Sequence, residues 1–167
     1  RKNILFAPGT LYEHGYTTKK TQDKYIKLII QEILKSHDDI NLNVKIHPHA
    51  SNLHDYQILL KEFNKDISIF QEGDILEYLS SSDILITFPG TTTTLNAALL
   101  KIPTILVNFI EFENDPFVKN GLAFECNDIK SISKMIDSLQ PIEQNKLDKF
   151  IEEFLDEIGF LDLCRAF

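Results

Sequence analysis

Apolar residues along this chain fall into two alternating arrangements: short runs rich in β-branched side chains, and longer stretches where they return every three or four positions. The short runs, Asn3 to Ala7, Leu42 to His47, Ile67 to Phe70, Asp83 to Phe88 and Thr104 to Phe109, read as strands. Asp83 to Phe88 is apolar at nearly every position, the pattern of a parallel strand buried on both faces. Between them, Thr21 to Ser36 carries Tyr25, Leu28, Ile29, Ile33 and Leu34, and Leu53 to Phe63 carries Tyr56, Leu59, Leu60 and Phe63, both at helical spacing. Asp74 is placed to cap a short helix through Leu79, and Asp128 another through Leu139. Strand and helix alternate, which predicts an α/β fold: a Rossmann-like, doubly wound parallel sheet with helices on both faces and right-handed crossovers. After Pro141 the pattern changes to one amphipathic helix, Ile142 to Ile158, with Leu147, Phe150, Ile151, Phe154 and Leu155 on one side. The chain therefore divides into a sheet domain, 1–140, and a C-terminal helical extension, 141–167.

In doubly wound sheets ligands bind beyond the carboxyl ends of the strands, so polar residues there carry the candidate chemistry. After the fourth run comes Pro89-Gly90 and then Thr91, Thr92, Thr93 and Thr94, with Leu95, Ala98 and Leu99 continuing at helical spacing up to Pro103. Gly90 permits close approach of a ligand, and Thr91, Thr92 and Thr93 add hydroxyls to the unpaired amides of a helix start, a setting for phosphate oxygens. A cap alone would need one hydroxyl, from Thr91 or Thr92. There is no Gly-Lys-Ser/Thr after the glycine and no GxGxxG, which argues against a Walker NTPase and a dinucleotide dehydrogenase.

His47-Pro48-His49 closes the second strand and brings His47 to the same edge, where an imidazole can donate to a phosphate or stabilise a departing diphosphate; a surface turn histidine would read the same way. The first strand is followed by a long polar loop in which Thr10 can approach a phosphate, while Glu13 and His14 can meet a second substrate or a facing domain. Gln71, Gly73 and Ile75 bound the turn after the third strand, where backbone groups can read a nucleobase edge and an apolar side chain can pack on its face. Glu111, Glu113 and Asp115 follow the fifth strand as candidates for hydroxyl contacts. His37 and His54 read as solvated helix positions, and spacing alone suggests no metal site.

Composition narrows the partners. With 25 Asp and Glu against 17 Lys and Arg, a net charge of -8 and no basic block, a nucleic-acid duplex is not expected. An anionic ligand would then rely on amides, dipoles and local cations. Cys126 and Cys164 sit in apolar surroundings without a CxxC, the pattern of buried thiols in a reducing compartment. No apolar run approaches the roughly 20 residues a membrane helix needs, and no signal peptide is apparent, so the cytoplasm is the expected location. The chain begins at Arg1 and enters a strand at once, which suggests a domain cut from a longer protein.

The order LFAPGT, KIHPHA, FQEGDILEYLSSSDILITFPGTTTTLNAALLKIPTILVNF resembles, over roughly residues 3 to 139, the C-terminal nucleotide-sugar domain of GT-B glycosyltransferases. The His-Pro after the second strand and the SSD-strand-hydroxyl loop-helix-Pro block are most similar to CDP-glycerol glycerophosphotransferases and related capsule or teichoic-acid transferases. UDP-GlcNAc 2-epimerases share the plan, but the first loop lacks their His-Arg-rich pattern. The resemblance implies that Thr91 and Thr92 stand where the family places a Ser-Ser pair on the donor diphosphate. It also implies that His47 acts catalytically on the leaving group. Asn96 stands where many GT-B enzymes bind ribose hydroxyls through an acid, and would do so without charge; the glycine usual before the family's Ile-Pro is replaced near Lys101. By the same resemblance the substrate is a nucleotide-activated donor, such as a CDP- or UDP-linked compound, with no separate cofactor. The acceptor would be a saccharide or polyol phosphate of a surface polysaccharide or wall polymer. The acceptor-activating base would lie on an N-terminal domain outside this chain, and the full-length enzyme would associate peripherally with the inner face of the membrane. A non-catalytic flavodoxin-like module is the reading from a different class. The regulatory form of it is disfavoured because Asn3 to Pro8 contains no carboxylate.

Overall fold

The computed structural model describes residues 1–36, 39–50, 53–63 and 67–158; His37 and Cys164 lie outside them. Six strands form one sheet: β1 (Lys2–Ala7), β2 (Ile40–Lys45), β3 (Ile67–Phe70), β4 (Ile84–Thr87), β5 (Thr104–Val107) and β6 (Phe124–Cys126). All neighbours pair in parallel, in the order β3-β2-β1-β4-β5-β6. The order reverses between β1 and β4, and in such sheets the crevice above that reversal is where ligands bind.

The helices are α1 (Lys19–Ser36), α2 (Leu53–Leu60), α3 (Ile75–Ser80), α4 (Thr93–Leu99), α5 (Pro116–Lys119), α6 (Ile132–Ser138), preceded by a 3-10 turn at Ile129–Ser131, and α7 (Gln144–Ile158). None of those described is long and apolar enough to cross a membrane. Alternate strand residues serve opposite layers. Ile4, Phe6, Leu42, Val44, Ile84, Ile86, Ile105 and Val107 pack with Ile26, Ile29, Ile30 and Ile33 of α1, Tyr56 and Leu60 of α2, and Ile132 and Ile136 of α6. Leu5, Ala7 and Leu85 face Leu79 of α3 and Ala97 of α4, while Leu106 packs with Phe117, Leu122, and Leu147 and Phe150 of α7. This two-sided burial is why the central strands read as unbroken apolar runs. Each fully buried Ile or Leu contributes about 1.5–3 kcal/mol of transfer free energy.

Element ends differ from the sequence reading in instructive ways. β2 stops at Lys45, and His47 stands beyond it in a turn closed by the Ala50 amide on the His47 carbonyl (3.0 Å); Ile46 makes the last ladder bond, to the Phe70 carbonyl (2.7 Å). β4 begins after Asp83, whose carboxylate accepts from the Asn3 amide (2.8 Å) while its own amide donates to the Asn3 carbonyl (2.8 Å). β6 and α5 carry no periodic signal because they are three and four residues long. Asp74 and Asp128 do cap as expected, accepting from Leu76 and Lys130 amides.

Candidate functional site

Five loops meet above the β1/β4 reversal. Two cavities open there, of about 300 Å³ and about 690 Å³. Gly9, His47, Thr91, Thr92 and Thr93 line both and form the wall between them. The smaller cavity continues to Lys45, Gly73, Asp74 and Ile75; the larger to Thr10, His14, Tyr16, Gly90 and Phe112. A wider groove of about 1010 Å³ runs between α1 and α2, lined by Lys19, Lys24, Lys27, Leu28, Leu59 and Phe63. Its lining comes from α1, α2 and the turn after α2, and none of the loops that follow the strands contributes, so volume alone misleads here.

The β4–α4 turn is shaped by its own side chains. Gly90 has φ +75°, a conformation that favours glycine, and a Cβ there would meet the Phe112 ring at 4.0 Å. The Thr91 hydroxyl accepts from the Thr93 amide (3.2 Å), whereas Thr92, at the cap position, makes no side-chain cap bond and is exposed. Thr91 is therefore the capping residue, and the Thr92 hydroxyl faces no cap duty. Two expectations are corrected. The helix-start amides, expected to be unpaired, are paired within the turn, Thr93 with the Thr91 hydroxyl, Thr94 with the Thr91 carbonyl (3.4 Å) and Leu95 with the Thr92 carbonyl (3.0 Å), and the Gly90 amide donates to the Asp115 carboxylate at 3.4 Å. Asp115, expected to contact ligand hydroxyls, is instead buried and caps α5 by accepting from the Phe117 (3.0 Å) and Val118 (3.3 Å) amides.

His47 is held by its neighbour: the His49 amide donates to His47 Nδ1 at 3.1 Å. With Nδ1 an acceptor, the neutral ring carries its proton on Nε2. Burial pushes the His47 imidazole below its usual value; His49, His14 and Lys45 act in the same direction and Glu13 opposes them. A neutral donor at neutral pH results. Across the larger cavity, Thr10 Oγ1 and His14 Nδ1 lie 3.1 Å apart. That loop is no loose tether, because buried Leu11 anchors it and buried Gln22 accepts from the Tyr12 amide (2.9 Å).

The other candidates spread out. Gly73 and Ile75 line the smaller cavity, but Gln71 braces it from outside, its side chain accepting from the Leu53 amide (3.1 Å). Asn96 sits half-buried on α4 and lines neither cavity. Glu13, Glu111 and Glu113 are exposed and also line neither. Sequence reasoning passed over Lys45, Tyr16 and Phe112. Lys45 did leave a signal, a charge inside an otherwise apolar strand end. Phe112 left none, since its place depends on buried Asn108, which donates to the Phe112 carbonyl (2.8 Å) and accepts from its amide (2.8 Å). Among the described residues, no three His, Cys, Asp or Glu side chains gather as a metal site would require. Cys126 is buried, which pushes its thiol up and away from reactivity.

No family profile matches the chain. An uncharacterized protein of Methanocaldococcus jannaschii is 30% identical over 148 residues, covering 86% of this chain and 26% of that protein. The glycosyltransferase SnogD from Streptomyces nogalater superposes with a TM-score of 0.58 at 16% identity, over 99% of this chain and 42% of that one. S. aureus MnaA, in a structure with UDP, gives 0.59 at 13% identity, over 90% and 39%. The spinosyn rhamnosyltransferase SpnG, in complex with thymidine diphosphate, gives 0.58 at 12%, over 99% and 40%. The chain thus spans about a quarter of its curated relative and two fifths of these structures. It shares its fold with that portion of each of them.

Proposed function

We propose that this chain is the donor-binding half of a GT-B transferase, moving a glycosyl or polyol-phosphate group from a nucleotide-activated donor to a surface-polysaccharide or wall-polymer acceptor. One observation carries the reading: Gly9, His47 and Thr91–Thr93 converge, from three different strand ends, on a shared wall between two cavities at the sheet's reversal point. That the UDP and thymidine diphosphate complexes of MnaA and SpnG share this fold supports a nucleoside diphosphate as the ligand class. The wall is the place for the diphosphate, the smaller cavity for the nucleoside and the larger one for the group transferred.

The mechanism follows from what each group can offer. As the donor bond breaks, negative charge grows on the leaving phosphate, and donors fixed beforehand stabilise that charge more than the ground state. His47 Nε2–H is such a donor, and it cannot serve as base through that nitrogen while neutral. The Thr92 hydroxyl adds to it and His14 stands on the larger cavity, toward the group transferred, while Asn96, Gln71 and Glu13 have supporting rather than direct places in this arrangement. The base that activates the acceptor belongs to polypeptide outside this chain. Titration of the full-length protein with CDP, UDP and CMP, followed by amide shifts, tests the reading. Shifts at Thr91–Thr93, His47 and Gly73 are expected; no shift at millimolar nucleotide would sink it.

A further inference from the structure

Among the described residues Lys45 is the one lysine lining either cavity, and it is only 5% exposed. A buried ammonium needs its donors satisfied. Its Nζ donates to the Gln71 carbonyl at 2.6 Å and the Ile46 carbonyl at 3.2 Å, and stands 5.7 Å from the centre of the Tyr78 ring. Two of its three donors are thus held by backbone carbonyls on either side of the β2 end. What Lys45 shapes is the turn after β3. Tyr78 completes that turn from the other side: its hydroxyl donates to the Glu72 carbonyl (3.1 Å), and its ring packs on Phe70 with centroids 4.9 Å apart. Gly73, at φ +92°, is left-handed there, and a Cβ on it would meet the Tyr78 hydroxyl at 3.0 Å. Two successive carbonyls are thus tied to side chains of β2 and α3, and the glycine between them and Asp74 makes room for the tie.

We propose that Lys45 is the positioning residue of the nucleoside end: its ammonium, with Tyr78, holds the Gln71–Asp74 turn in the shape that receives the donor's base, and so sets affinity for the nucleoside rather than for the phosphates. The inference rests on the donor-binding reading above. A phosphate-binding lysine would be expected to keep its donors for the ligand, whereas two of these already bind carbonyls at home.

Lys45→Met in the full-length protein removes the ammonium and keeps the stem. Hydrogen exchange of the ligand-free protein is expected to show amides 71–75 opening about tenfold faster than wild type, the factor for one charged hydrogen bond, with 90–93 unchanged. The tighter of UDP and CDP should bind about tenfold more weakly, while inorganic pyrophosphate, measured by competition with that nucleotide, keeps its affinity. Tyr78→Phe should give the same pattern at about threefold and carries the test where Lys45→Met does not fold. Equal weakening of nucleotide and pyrophosphate would overturn the inference and make Lys45 a phosphate contact. Unchanged exchange at 71–75 would overturn it whatever the ligand. Failure of wild type to bind either nucleotide would instead overturn the donor-binding reading.

Discussion

The backbone amide of His49 binds Nδ1 of His47, so the Pro48 turn fixes which nitrogen of the neutral ring holds the proton. The consequence is directional. Gln carries an amide N–H roughly where Nε2–H stands and Asn does not, so His47→Gln should keep nucleotide affinity within about threefold of wild type. His47→Asn and His47→Ala should each lose about tenfold, the scale of one hydrogen bond to a charged group. Calorimetric titration with UDP or CDP checks this; equal losses for Gln and Ala would contradict the tautomer assignment.

The same ring gives a pH signature. Its folded pKa is lowered, first by burial and then by His49, His14 and Lys45. Between that value and the unfolded value near 6.5, the unfolded chain binds more protons, so this group's contribution to stability is lost as pH falls below about 6.5. An anion at the wall has the opposite effect and raises the His47 pKa. Imidazole NMR titration is expected to place His47 below 6.5 without ligand and to move it upward with saturating nucleotide. No movement would place the phosphate elsewhere.

Thr91 and Thr92 are adjacent but separable. Thr91→Val deletes the acceptor for the Thr93 amide and should destabilise the protein by about 1 kcal/mol, a typical cap loss. Thr92→Val deletes an exposed hydroxyl with no cap bond, so the melting temperature should hold while nucleotide affinity falls several-fold. Thermal melts paired with titrations of both variants decide it, and reversed results would exchange their roles.

Asp115 joins the β4–α4 turn to α5. Its carboxylate accepts from three amides, of Gly90, Phe117 and Val118, while 5% exposed. Asp115→Ala leaves buried amides without partners and is expected to destabilise by about 2 kcal/mol or more, seen as a lower denaturant midpoint. Asp115→Asn keeps one acceptor oxygen and should fall between the two.

Much of this fold was legible in sequence because burial of β1, β4 and β5 on both faces writes an unbroken apolar run, and α1 writes a clear 3.6-residue period. The site was legible only where glycine, proline and hydroxyl residues follow those runs directly, as at Gly90–Thr93 and His47–Pro48. Lys45 and Asp115 take their positions from contacts across the sheet edge, with Gln71 and Gly90, and no local pattern records such partners, while Phe112 is held by Asn108 four residues before it in the loop after β5. Asn96 shows the converse: the resemblance assigned it a ligand contact, while its place on α4 turns on the helix's register against the cavities.

Lys101 turns a departure in sequence into a measurable strain. It follows the end of α4 with φ 59°, the left-handed conformation that costs a residue with a Cβ roughly 1–2 kcal/mol relative to the right-handed one. The bonds there define the motif: the Lys101 amide donates to the Ala98 carbonyl (2.9 Å) and the Ile102 amide reaches back to the Ala97 carbonyl (2.8 Å), a Schellman ending whose left-handed position is most often glycine. Ile102 is buried with Ala97 and Leu85, so the chain cannot relax out of this turn without exposing it. Glycine would remove the steric penalty but add freedom to the unfolded chain, leaving a net gain of about 0.5–1 kcal/mol. Lys101→Gly should therefore raise the denaturant midpoint, and Lys101→Val, β-branched in the same conformation, should lower it. A Lys101→Gly protein no more stable than wild type would mean that the exposed lysine is held there at no cost.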